Sequence, residues 1–429
     1  MKLNPQTNCR LTPSLYFPTL YLAVVICFFA MTACSSTGKH LLGNPEDPYP
    51  LKTKPKVGEI VHLPTGIVVS QAQMLTVAGN ARIVYVGETH DNPASHRLEL
   101  QVLQSLAKRH PGHLALGMEM FARSQQPALD RWISGELDEK AFLKESRWHE
   151  YWGMDFAYYR ELLNFARDRQ IPVIALNAEK SLVEAVSSKA PRQLSAGNRA
   201  QLPDLDLTDP YQRALVAAYF SDHVHGGMKL ESFVRAQTLW DDYMAESVAR
   251  YLASSAGKDK QLLVIAGGNH VGYGFGIPRR AFRRLPTSYV LIGGKEIDIP
   301  ADMKDRMMNV KLPEFPMIPY DFQVYLAYEK LPKTGVTLGV MFGPSPTGHG
   351  LVLNNVIQGS NAERAGLQRG DLLLALDGQP LIDGFDLIYL VEQKHPGDRG
   401  TLAIERQGQT IDLKVVFQPT REDYPHAKR

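Results

Sequence analysis

A chain of 429 residues is too long for one average domain and suits two or three. Hydrophobic residues at 44% and charged residues at 21% exclude a disordered or fibrous chain, and 47 Lys and Arg against 45 Asp and Glu leave no electrostatic case for nucleic acid. The three cysteines, Cys9, Cys27 and Cys34, all precede residue 35, so the remainder can build neither a disulfide nor a thiolate metal or iron–sulfur site.

Lys2 and Arg10 stand ahead of an apolar run from Leu20 to Ala30, which ends in Met31-Thr32-Ala33-Cys34. That run is short for a bilayer span of about 20 residues and suits the apolar region of a signal peptide. Small residues leading into a cysteine resemble the bacterial lipobox, with Met31 replacing the commoner leucine. The resemblance implies a signal peptide over 1–33, cleavage before Cys34 and lipidation of Cys34 by fatty acyl chains such as palmitate; the alternative is an uncleaved anchor. Cleavage would remove Lys2 and Arg10 and leave basic and acidic residues equal in number, so attachment would rest on acyl chains rather than on a polybasic patch. Ser35 follows the cysteine, with no Asp as an inner-membrane retention signal, so the expected location is the bacterial cell envelope, at the outer membrane facing the periplasm. Residues 34–58, with Ser35-Ser36-Thr37-Gly38 and scattered prolines, read as a lipidated tether.

From 59 to 330, short apolar runs alternate with longer amphipathic stretches. Ile83–Val86, Leu114–Met118, Val173–Leu176, Leu262–Ala266 and Tyr289–Ile292 are continuous apolar runs that suit parallel strands covered on both faces. Between them, Asn92-Pro93 gives a helix cap followed by proline at the first helical position. His96, Leu100, Leu103 and Ala107 then share one face. Ser232 is expected to open a second helix carrying Gln237, Trp240, Asp241, Met244 and Val248. The fold class is therefore α/β, a mostly parallel sheet flanked by helices, followed by a small β-rich domain.

The residues after these strands locate the chemistry. The first strand runs into Gly87-Glu88-Thr89-His90, the second into Glu119, the third into Asn177 and the fourth into Gly267-Gly268-Asn269-His270. Open α/β sheets bind ligands at these carboxyl ends. Alone, each His or Glu reads as a cap or ion-pair partner. Together, Glu88, His90, Glu119 and His270 are candidate ligands for a divalent transition metal, or groups that shift one another's pKa values. His96 either joins them from the first helical turn or packs there.

Val86-Gly87-Glu88-Thr89-His90-Asp91-Asn92, Leu116–Phe121, Ile171–Asn177 and Ile265–Val271 resemble the ChaN family of iron-regulated, haem-binding bacterial lipoproteins, over roughly residues 60–300. The resemblance implies haem bound between the subunits of a homodimer, with tyrosine on the iron and histidine near the propionates. Without a thiolate, axial ligation falls to Tyr, His or Met. The aromatic segment 148–159 offers Tyr158 and Tyr159, the loop after 220 offers His223 and His225, and Arg279 is placed to pair with a propionate; core packing and a solvated loop are the competing readings. The Gly87…His90 and Gly267…His270 pair with Glu119 between them also resembles, more distantly, the erythromycin-esterase and TIKI/TraB superfamily. That similarity implies a metal-dependent hydrolase as the enzymatic alternative, with Glu88, His90, Glu119 and His270 catalytic.

From 335 to 418 the chain changes to short strands and glycine turns, ahead of a tail over 419–429. Ser360–Asp371 and Leu376–Leu381 resemble a bacterial PDZ domain. The resemblance implies capture of an envelope protein or peptide by its C-terminus, with Leu338, Gly339 and Val340 as the carboxylate loop and Asp383–Lys394 as the groove helix, Ile388 and Val391 facing the groove. Phe342-Gly343-Pro344-Ser345-Pro346 is expected to break the strand that pairs with the peptide, and docking within the protein is the competing role.

Overall fold

The five apolar runs become strands of one sheet in the computed structural model, which describes residues 51, 53–222, 228–306, 310–331, 335–345 and 348–419. Cys34, the signal peptide, nearly all of the tether, His223 and His225 lie outside the described residues. The strands are β1 (Ile60–His62), β2 (Ile67–Val69), β3 (Ile83–Glu88), β4 (Leu114–Ala122), β5 (Val173–Asn177), β6 (Gln261–Gly267), β7 (Tyr289–Asp298) and β8 (Phe322–Ala327). They lie in the order β2-β1-β8-β7-β3-β6-β4-β5. Neighbours from β8 to β5 pair in parallel, and β1 runs antiparallel to both β2 and β8.

β3, β4 and β6 are buried along their whole length because helices cover both faces. Successive residues of a strand point to opposite faces. Val84 and Val86 accordingly join Val102, Leu103 and Leu106 of the Pro93–Arg109 helix in one core, while Ile83 and Tyr85 join Met244 and Val248 of the Leu230–Ala253 helix and Ile277 and Ala281 of the Ile277–Arg284 helix in the other. The chain thus leaves β3 toward one face and β6 toward the opposite one. These two strands are hydrogen-bonded neighbours, with Glu88 level with Gly267. Adjacent parallel strands whose outgoing connections diverge leave a crevice at their carboxyl ends.

Asn92 caps the first helix by accepting from the Ala94 N–H, with Pro93 at its start. The second begins at Leu230, two residues before the expected Ser232, whose N–H already donates to the Lys229 carbonyl inside the first turn. Among the described residues, no helix is long and apolar enough to cross a membrane.

The C-terminal region is antiparallel: β9 (Val340–Pro344), β10 (Leu351–Val356), β11 (Leu372–Leu376), β12 (Gln379–Pro380), β13 (Arg399–Arg406) and β14 (Gln409–Val416), ordered β14-β13-β11-β10-β9 with β12 on β11. β9 runs through Phe342 and Gly343 and ends at Pro344, inside the segment expected to break it; Pro346 lies outside the described residues. β9 pairs with β10 through Pro344 opposite Leu351, and it is an edge strand, where proline is tolerated. The Gly384–Glu392 helix turns Leu387, Leu390 and Val391 into its own core. One turn apart on another side, Phe385 and Tyr389 pack against the core of the α/β domain. Lys140 Nζ lies 2.9 Å from Asp386 Oδ1 and Lys144 Nζ 2.9 Å from Asp383 Oδ2, while the His149 and Phe385 rings stand 5.8 Å apart. The two domains therefore touch through the helix that borders the expected peptide groove.

Candidate functional site

The crevice between β3 and β6 brings together the four residues expected there. Glu88 ends β3, His90 follows two residues later, Glu119 lies in the second half of β4, and His270 sits in the short helix Gly268–Val271 after β6. Gly267 at the strand end holds them in register: its N–H donates to Glu119 Oε2 at 2.7 Å. A Cβ there would stand 2.9 Å from His90 Cε1, so only glycine lets the His90 ring lie across the strand end.

Each imidazole is held by a carboxylate. His90 Nδ1 lies 2.5 Å from Glu88 Oε1, and Glu88 Oε1 also accepts the Tyr159 hydroxyl at 2.7 Å. His270 Nδ1 lies 2.7 Å from Asp241 Oδ1, while its Nε2 faces Glu119 Oε1 at 3.4 Å. Asp241 is itself fixed by Gln212 Nε2, which donates to its other oxygen at 2.6 Å. His96 Nε2 donates to the His90 carbonyl at 2.9 Å, and its Nδ1 lies 3.1 Å from Glu99 Oε2.

Burial works against charge on both His90 and His270, but facing carboxylates outweigh it. The hydrogen bond and charge of Glu88 carry His90 up to about 9, and the charges of Glu119 and Asp241 carry His270 up to about 9. Burial would raise Glu88, yet its bonds to Glu99 and His90 bring it down to about 2. Glu99 goes the other way: burial and the neighbouring Glu88 charge hold its carboxyl well above the ordinary range.

The remaining candidates divide. Tyr158 is half-buried, its ring 5.2 Å from that of His96. Tyr159 is wholly buried with its phenol bonded to Glu88, so it belongs to the core rather than to an open ligand face. Arg279 pairs with Asp209, and its guanidinium stands 4.9 Å over Phe275. Of the aromatic segment, Trp148 and Phe156 are core, whereas half-buried Trp152 meets His90 edge-on at 4.9 Å. Leu338 and Gly339 use their carbonyls within their own domain, accepting from Ala362 and Ile357, and Gly339 adopts φ +80° against Ser360. Val340 opens β9. Asp241 and Glu99 were not singled out as site residues. A signal for Glu99 existed, since it lies three residues after His96 and four before Leu103 on a helix face that is otherwise apolar.

Residues 74–281 match the family described as haem-binding uptake, Tiki superfamily, ChaN, and residues 352–406 match the PDZ domain family. Among curated relatives, the chain is 26% identical over 239 residues to Protein RETICULATA-RELATED 5, chloroplastic, of Arabidopsis thaliana, covering 50% of this chain and 31% of that protein. It is 43% identical over 65 residues to the regulator of sigma-E protease RseP of Escherichia coli, covering 15% and 14%. The chain spans about a third or less of the length of these relatives. A solved structure titled cofacial heme binding to ChaN of Campylobacter jejuni covers 64% of this chain and 98% of its own at 15% identity and TM-score 0.48.

The shifted groups fix how stability should follow pH in metal-free protein. A histidine raised from 6.5 to about 9 on folding contributes stability that is full below 6.5 and lost as pH rises through 9. Glu88, lowered from 4.5 to about 2, contributes stability present above 4.5 and lost as pH falls through 2. The raised Glu99 carboxyl contributes stability that is full below 4.5 and lost as pH rises above it. Thermal melting by circular dichroism should therefore peak at about pH 4.5 and fall more steeply above about 6.5, and the decline toward pH 9 should be shallower in His270→Gln.

Proposed function

We propose, for a chain whose α/β domain belongs to the haem-binding ChaN family and whose C-terminal domain is a PDZ domain, that it is a haem-binding lipoprotein of the bacterial envelope that handles iron or haem and engages an envelope partner. The observation that carries this reading is the family match over residues 74–281, which contains Glu88, His90, Glu119, Tyr158 and His270. The residues present suit the group. Trp152 and His90 give the crevice a partly exposed aromatic rim, half-buried Tyr158 stands beside His96, and the donors are oxygen and nitrogen, which ligate haem iron without a thiolate. Tyr158 is assigned the iron in preference to Tyr159, whose phenol is already committed to Glu88. The histidines would face the propionates, and a second copy of the chain would complete the pocket.

Titrating haemin into the mature protein should give a saturable Soret band. Tyr158→Phe should weaken binding by about tenfold or more, roughly 1.4 kcal/mol, and shift that band, while Tyr159→Phe should mainly lower the melting temperature. A wild-type spectrum identical to free haemin at saturation would end this reading. The protein is carried at the outer membrane by acyl chains on Cys34, so Cys34→Ser should move it from the membrane to the soluble fraction; unchanged fractionation would refute the anchor.

The PDZ domain takes an extended peptide C-terminus along the outer edge of β9, with Leu338, Gly339 and Val340 at the carboxylate. A second reading, a metal-dependent hydrolase, is favoured by one feature. His90 and His270 both give Nδ1 to a carboxylate, His270 presents Nε2 to Glu119, and His90 Nε2 lies over the adjoining Gly267. If metal-loaded protein fails to turn over an activated ester faster than its His270→Ala variant, this second reading is lost.

A further inference from the structure

Behind His90, away from the rim, two carboxyl groups and an imidazole converge on one buried space. His96 Nε2 faces the His90 backbone carbonyl at 2.9 Å. A carbonyl only accepts, so this nitrogen carries the proton, and in the neutral ring Nδ1 is left as a bare lone pair. That lone pair faces two acceptors, Glu99 Oε2 at 3.1 Å and Glu88 Oε2 at 3.5 Å. The Glu88 and Glu99 side chains are fully buried, and His96 is only 6% exposed. Two of the carboxyl oxygens, Glu88 Oε2 and Glu99 Oε1, have no hydrogen-bond partner beyond the other carboxyl of this pair. Glu88 Oε1, by contrast, is engaged by Tyr159 and His90, which turns its second oxygen inward.

We propose that Glu88, His96 and Glu99 form a buried binding site for a single divalent first-row transition-metal ion, distinct from the convergence of His90, Glu119 and His270 at the rim. One oxygen from each carboxyl group and one ring nitrogen of His96 lie within 4.8 Å of one another. An ion about 2.1 Å from each donor separates neighbouring donors by about 3.0 Å in octahedral and about 3.4 Å in tetrahedral geometry. The observed spacings of 3.1 and 3.5 Å match those values. A shared proton would satisfy one pair of these atoms and leave the others facing one another. A dication neutralises both carboxylates and accepts every lone pair in the set. One imidazole with two carboxylates selects a transition ion over calcium or magnesium, which prefer oxygen alone. The backbone carbonyl of His90 supplies the outer hydrogen bond that fixes a metal-binding imidazole, and the rings of Tyr158 and Tyr159, 5.2 and 4.6 Å from that of His96, close the site.

The proposal stands apart from haem binding and is tested without it. Full-length mature protein, stripped with a chelator, is titrated with Zn(II) while bound metal and melting temperature are followed. One equivalent should bind, raise the melting temperature, and show an X-ray absorption shell of one imidazole with carboxylate oxygens. Glu99→Gln should weaken that first equivalent at least tenfold and abolish the thermal shift, and His270→Gln should retain both. Absence of saturable Zn(II) binding overturns the proposal, as does wild-type affinity in folded Glu99→Gln. Should Glu99→Gln not fold, the absorption spectrum of the wild type decides: a shell containing two imidazoles puts the ion at His90 and His270 and refutes the buried site.

Discussion

A carboxylate withdrawn from water costs several kcal/mol unless a cation or hydrogen-bond donors replace its hydration. Five acidic side chains, Glu88, Glu99, Glu119, Asp241 and Asp242, are withdrawn in and beside the crevice of this α/β domain. Much of the local architecture follows from answering them. The Gly267 N–H and His270 serve Glu119, Gln212 and His270 serve Asp241, and Arg280 and Arg284 serve Asp242. Arg280 is completely buried to do so, and it lies one residue from the arginine expected to reach a propionate. The helix Ile277–Arg284 is thus committed to charge compensation behind the crevice, and Arg279 is drawn into the same work by Asp209.

What the sequence made legible is what a single run of residues determines. Ile83–Val86 or Leu262–Ala266 can be satisfied only by burial on both faces, so their identity as interior parallel strands needs no partner to be named. Because polar residues directly followed those runs, the positions of Glu88, His90, Glu119 and His270 at one sheet edge were readable too. β1 and β2 were not, since three residues carry no period and their pairing depends on a strand more than 250 residues away. The choice between Tyr158 and Tyr159 was equally closed. The two are neighbours at the end of a single 3-10 turn, and which ring enters the core is set by where Glu88 and Trp148 already stand. Asp241 was visible as a member of a helix face, but its service to His270 is a tertiary fact.

The domain contact adds a constraint that neither domain shows separately. Phe385 and Tyr389 use the outer side of the Gly384–Glu392 helix for docking, while Leu387, Leu390 and Val391 use its inner side for the PDZ core, leaving half-buried Ile388 between them. On the α/β side the docking surface includes His149, from the one-turn helix Trp148–Tyr151. Trp148 of that turn packs against Tyr159, and Trp152, the residue after it, meets His90 edge-on. A displacement of the groove helix would therefore press on the same short turn that walls the crevice. Coupling of this kind needs two discrete arrangements of the turn, each preferred by one ligand. Arg147, in the left-handed region at φ 51°, sits at its start, where a non-glycine residue is held only by its surroundings.

The same electrostatics bear on why the crevice keeps both an open rim and a closed interior. His90 is the residue on the boundary: its side chain is 38% exposed, its Nδ1 is given to a buried carboxylate, and its backbone carbonyl orients His96. A ligand at the rim that drew His90 away from Glu88 would leave Glu88 with the Tyr159 hydroxyl on one oxygen and only the Glu99 carboxyl for the other. Leaving such a group unpaired in a dry interior is more costly than the hydrogen bond it replaces. Any occupant of the rim must therefore meet His90 through Nε2, on a ring that Gly267, by lacking a side chain, lets lie across the strand end.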